Sequence, residues 1–150
     1  MIFQRLSRTD PERVFINVRN SEGASIAAND CCIWETASAS VDGVRVRQPD
    51  TSVLFGFAGV ADAAIADGEY GLIQVYGYRS TSKVFQTNTS QDTGVALVPT
   101  AAVAYFQSVA TTQASSTTVT LQPIFAMLGE TIASSSVSAT ISAKVFIRAL

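Results

Sequence analysis

The stretch that most narrows the fold is Leu72-Ile-Gln-Val-Tyr-Gly-Tyr78. It is β-branched and aromatic and follows a turn marked by Gly68 and Gly71, which is the composition and setting of a strand. The residues before the turn, Val60 to Asp67, are small and apolar and end in Asp-Gly. Two arms about a glycine-punctuated turn predict a strand hairpin with an irregular connection, spanning Gly59 to Tyr78. A hairpin is marginal by itself, so the rest of the chain has to extend or cover it.

Similar signals recur along the sequence. Arg13 to Arg19 is a strand candidate closed by Asn20-Ser-Glu-Gly23. Asn29-Asp30 is a turn signal, and Cys31 to Thr36 follows as a strand with the single Trp34. Val44 to Arg47 alternates strictly, the pattern of a half-buried strand. Val53 to Ala58 is a continuous apolar run with Gly56 inside, predicting a buried strand with a close approach or a bulge at the glycine. Lys83 to Thr87 predicts a further short strand, and Val95 to Val98 stops at Pro99. Ala101 to Val109 fits either a helical turn or a strand entering a loop, and Ala110 to Thr118 reads as an exposed loop. Val119 to Gln122 alternates, and Ile124 to Leu128 is apolar up to Gly129. Val137, Ala139, Ile141 and Ala143 alternate with Ser and Thr before Lys144-Val-Phe-Ile-Arg-Ala-Leu150 closes the chain.

No window carries an amphipathic helical stripe with caps. Many short strands with frequent turns predict an all-β domain, a β-barrel or β-sandwich of short antiparallel strands with long loops. Residues 13–150 form that single domain. Residues 1–12 are an extended N-terminal arm, because Pro11 biases Asp10 away from helix. Arg13-Val-Phe-Ile and Lys144-Val-Phe-Ile-Arg148 look alike without amounting to an internal repeat. Both are expected in the core sheet, bringing the two ends of the chain together.

The chemistry is limited by what the sequence omits. There is no histidine in 150 residues, which removes Ser-His-Asp and Cys-His arrangements and imidazole metal sites. No Walker A loop or dinucleotide fingerprint is present. Asp62, Asp67 and Glu69 are the carboxylates closest together, and turn chemistry accounts for them. A dUTPase-like reading of this region, with Tyr78-Arg-Ser-Thr81 as a phosphate motif, fails on motif order. The adjacent Cys31 and Cys32 point to opposite faces of a strand, so they do not bridge each other. Two thiols are too few for structural zinc, and a reducing compartment is expected. No catalytic residue, cofactor or metal ligand emerges, and no enzyme activity is expected. Trp34, Tyr70, Tyr76, Tyr78 and Tyr105 are candidates for a stacking platform, or for core and interface filling.

Partners are bounded in the same way. Net charge is −2 with no basic stripe, so nucleic acid is not an expected partner. No run approaches the roughly 18 apolar residues of a membrane span, and residues 1–8 lack the apolar core of a secretory leader. Charged residues make up only 15%, against roughly a quarter in ordinary domains. A surface of Ser, Thr and Ala suits close contact with other protein, because few charges have to be desolvated.

Gly59-Val-Ala-Asp-Ala-Ala-Ile65 and Gly68-Glu-Tyr-Gly-Leu-Ile-Gln-Val-Tyr-Gly-Tyr78 resemble segments of small head proteins of tailed bacteriophages. The frame is completed by Asp10-Pro-Glu-Arg-Val-Phe15 and Lys144 to Leu150. The family is that of the capsid decoration, or cement, proteins. The resemblance implies a β-rich structural virion protein, made in the host cytoplasm. It would bind the major capsid protein on the outer surface of an icosahedral shell as a homotrimer and stabilise the shell. On that reading the mildly basic leading segment, with Arg5, Arg8, Arg13 and Arg19, is the candidate capsid contact. Tyr70, just before strand 72–78, Tyr76 and Tyr78 on it, and Phe146 on the final strand are candidates for intersubunit packing. The alternative is a receptor- or glycan-binding β module of a phage fibre or spike.

Overall fold

The structure is a computed structural model that describes residues 11–36, 42–50, 56–86, 88–100, 103–109, 124–136 and 138–149. Nine strands occur among them and no helix. They are β1 (Arg13–Asn20), β2 (Cys31–Trp34), β3 (Arg45–Arg47), β4 (Phe57–Ala61), β5 (Tyr70–Gln86), β6 (Ala96–Pro99), β7 (Phe106–Ser108), β8 (Ala126–Leu128) and β9 (Ala139–Arg148). The all-β expectation holds.

The sheet closes on itself twice. β1 pairs with β3, β3 with β2, β2 with β4, β4 with β5, and β5 returns to β1. A second circuit runs from β5 to β7, β6, β8 and β9 and back to β5. The molecule is therefore two five-stranded rings that share one long strand. Closure removes exposed edges from both, since every strand finds partners on two sides. Each ring has its own core. Val18, Cys32, Val46, Ala61 and Ile73, one from each strand, fill the first. Val84, Leu97, Phe106, Leu128 and Val145 do the same for the second.

The two circuits have the same topology. In each, the first and third strands are parallel and all other pairs antiparallel: β1–β3 corresponds to β5–β7. Register follows. Asn20 lies opposite Val46 in the first ring, and Val84 opposite Phe106 in the second. Cys32 pairs with Gly59, and Leu97 with Ala126. Ala61 pairs with Ile73, and Leu128 with Val145. The correspondence extends to the connections. The Ile26–Ile65 bridge matches Gln91–Ile132. Asn29 N–H donates to the Ala61 carbonyl at 2.9 Å, and Gly94 N–H to the Leu128 carbonyl at 2.8 Å. Both turn residues are left-handed, with φ of 67° and 88°. Glycine reaches that region freely, and asparagine is the side chain that best tolerates it.

Several expectations change. Strands are not uniformly short and antiparallel: two pairs are parallel, β5 runs for 17 residues and β9 for 10. Lys83 to Gln86 is the end of β5, not a separate strand, while residue 87 lies outside the described residues. Polar Arg79-Ser-Thr-Ser82 does not interrupt the strand, because an irregularity opposite β9 between Arg79 and Ser82 absorbs it. Of the arm Val60 to Asp67, only Val60 and Ala61 are strand, and residues 62–69 are the connection. The bulge expected at Gly56 lies further on, where β4 meets β2 between Cys32 and Ile33. There Gly59 has φ of 154°. A Cβ at Gly59 would come within 2.5 Å of the Gln74 carbonyl oxygen. Residues 103–109 include the short strand β7 and no helical turn. Residues 1–10, 53–55 and 119–122 lie outside the described residues, and so does the whole of the 110–118 loop assignment.

Arg13 and Ile147 both lie opposite Gly77 of β5, so β1 and β9 meet at mid-strand. The look-alike segments at 13–16 and 144–148 are not equivalent in the duplicated topology. One opens the first circuit and the other closes the second.

Candidate functional site

The junction of the two rings holds the most concentrated chemistry. β2 and β4 turn Cys31, Phe57 and Val60 away from the first core and into the second. The Phe57 ring meets Phe106 at 5.4 Å and Phe125 at 5.3 Å between centroids. Alternation on β2 sends Cys32 the other way, into the first core. Burial pushes the Cys32 thiol up to about 12, with Asp30 adding to it, and Cys31 is likewise raised well above its usual range. Both are inert thiols at neutral pH.

A polar cluster sits beside these apolar contacts. Arg79, on the irregular part of β5, is 7% exposed. Its Nη2 donates to Asn29 Oδ1 at 2.7 Å and to the Ala61 carbonyl at 3.0 Å. Its Nε donates to the Thr81 carbonyl at 2.8 Å. Its Nη1 reaches Gln74 Oε1 and Asp62 Oδ1, each at 3.2 Å. Gln74 is fully buried, and its amide donates to the Tyr76 and Tyr78 carbonyls at 3.2 and 3.0 Å. Asp30 forms an ion pair with Lys83 and accepts from Ala27 N–H at 2.9 Å and Gln48 Nε2 at 3.1 Å. Along this junction runs an open groove of about 740 Å³, with Asn29, Gln48, Ser82, Lys83 and Tyr105 in its walls. Its volume is that of a small-molecule cleft.

Two of the three carboxylates singled out from the sequence serve structure. Asp62 pairs with Arg79, and Asp67 Oδ1 accepts from Gly23 N–H at 2.9 Å. No cluster of three metal-ligating side chains occurs among the described residues.

The aromatic candidates do not form one platform. Tyr76 and Phe146 meet edge-on at 5.3 Å. Tyr78 lies opposite Phe146 across β5 and β9, and Met127 opposite it across β8 and β9. Cross-strand neighbours share a face, so these side chains form one half-buried patch. Tyr70 is separate, 62% exposed at the far end of β5 beside Arg19. Tyr105 stacks on Phe85 at 5.5 Å, and Trp34 packs against the first core. Arg13 and Arg19 are exposed on β1, with Arg19 Nε donating to the Gly68 carbonyl at 2.9 Å. Arg5 and Arg8 lie outside the described residues.

Sequence reasoning missed Arg79, Asp30, Lys83 and Met127. One signal was legible: Gln74 interrupts the apolar run Ile73-Gln-Val75, and a buried polar side chain needs partners. No protein-family model matches the chain, and comparison with curated proteins finds no significant match.

Proposed function

We propose that this chain is a structural virion protein. It binds the major capsid protein on the outer surface of an icosahedral phage shell, as a homotrimer, and stabilises that shell. The observation that carries the reading is the resemblance to decoration proteins in residues 59–65 and 68–78, segments that supply part of β4, its connection and the first half of β5. Two closed rings locked by a shared strand suit a mechanical clamp. The low charge suits contact with neighbouring protein. A clamp that binds only the mature lattice stabilises it by mass action. Several copies engaged together need no single strong site.

Exposed Arg13 and Arg19 on β1, with Arg5 and Arg8 in the preceding segment, are the proposed capsid contact. Purified chain mixed with undecorated phage shells is expected to co-sediment to a saturating stoichiometry and to raise the temperature at which the shells open. Removing residues 1–12 should lower the occupancy, and full occupancy by the truncated chain would overturn the role of the arm.

The groove at the ring junction favours a second reading, a receptor- or glycan-binding module. Gln48, Asn29 and Lys83 offer hydrogen bonds there, and Tyr105 a ring face. Selective retention of the chain on a glycan array, without binding to shells, would decide for it.

A further inference from the structure

The duplicated topology allows one ring to be read against the other. In the first ring, an outward row runs across β4, β5 and β1 as Val60, Gln74 and Phe15. Phe57 stands beside it on β4. Val60 and Gln74 are fully buried and Phe57 is 3% exposed, because the second ring lies over them. The corresponding row of the second ring runs across β8, β9 and β5 as Met127, Phe146 and Tyr78. Met127 takes the place of Val60 and Phe146 that of Gln74. The position of Phe57 is taken by Ile124, which is 51% exposed.

Among the described residues, one face is therefore used twice and covered once. Its covered version is buried by a five-stranded ring of this same chain. Its open version is more apolar than the covered one, since Phe146 replaces Gln74 and Tyr76 adds a second ring edge-on at 5.3 Å. The charges at its margin are Arg148, opposite Tyr76, and the Lys144–Glu130 pair at 3.3 Å. No unpaired carboxylate stands in the row, so a surface of the same kind meets it without burying a lone charge.

We infer that the outer face formed by Ile124, Met127, Phe146 and Tyr78 docks a second copy of this chain. The inference rests on the proposed reading only in that both have the chain assemble with itself. It places that contact on the second ring. Tyr70, at the far end of β5, is outside it.

The test is the mass of the full chain in solution by light scattering across a concentration series. The native chain is expected as a multimer. Ile124→Asp combined with Met127→Glu is expected to give the mass of one chain with an unchanged thermal midpoint. Tyr70→Asp is expected to keep the multimer. If the double variant fails to fold, Ile124→Ser at the exposed position alone should shift the dissociation to lower dilution. A native chain that stays single at every concentration overturns the inference. So does a folded double variant, or Ile124→Ser, that keeps the native assembly, or a Tyr70→Asp that dissolves it. Binding to undecorated shells is scored separately. A single-chain protein that coats shells overturns this inference and the homotrimer while leaving the shell-binding role, and a multimer that coats none overturns only the virion reading.

Discussion

Arg79 shows how one side chain can hold two cores in register. Its guanidinium joins β5 to the turn at Asn29 and to the end of β4. Replacing it with Met would strand the buried Gln74 Oε1 without a donor and leave the Ala61 carbonyl only the Asn29 N–H. Leaving one buried acceptor unpaired costs roughly 1–3 kcal/mol, so the urea midpoint of Arg79→Met should fall. Asp62→Asn, at a half-exposed partner, should cost less than about 1 kcal/mol in the same assay. The cysteines give a pH signature. Their folded thiols are raised by burial, Cys32 to about 12 from an ordinary 9.0. Above the ordinary value the unfolded chain releases thiol protons that the folded chain keeps. Stability is therefore full below that value and declines as pH rises towards the folded value. The slope approaches about 1.4 kcal/mol per pH unit for each thiol. Denaturant titrations at pH 8 to 11 should show this decline, and the Cys31→Ala, Cys32→Ala double variant should flatten it.

At the scale of elements, β5 was half legible. Leu72 to Tyr78 is as clear a strand as the sequence contains, and it forms as expected. Its continuation was not legible, because Arg79-Ser-Thr-Ser82 has the polarity of a loop. Only the tertiary partners of Arg79 and the irregularity against β9 make those residues a strand. The parallel pairs were likewise hidden, since β1–β3 and β5–β7 join segments that no local signal relates. On the outer face of the second ring, Tyr76, Tyr78 and Phe146 were named as what the family resemblance implies for intersubunit packing. Met127 and Ile124 were not, because the place of Met127 opposite Phe146 and the exposure of Ile124 follow from ring geometry and not from sequence. Gly77 is where β1, β5 and β9 meet, with φ of 99°. A methyl there would collide with the Glu12 carbonyl. Gly77→Ala should lower stability by about 1–3 kcal/mol, read as a reduced thermal midpoint.

For the whole molecule, two rings with separate cores would suggest two unfolding units. The shared strand argues otherwise, because β5 belongs to both circuits and Phe57 carries the first ring into the second core. Scanning calorimetry should therefore give one transition whose calorimetric and van't Hoff enthalpies agree. Two resolved peaks would show that the rings melt independently. The duplication left little trace in the residues: between Phe57 and Ala66, only Ile65 and Ala66 are matched by identical residues, Ile132 and Ala133. Topology persisted where side chains diverged, as Val46 and Phe106 show by filling equivalent interior positions with different volumes. Because the last strand of one circuit is the first strand of the next, the architecture follows a growth rule. A third ring would require four new strands and not five, with β9 serving as its opening strand.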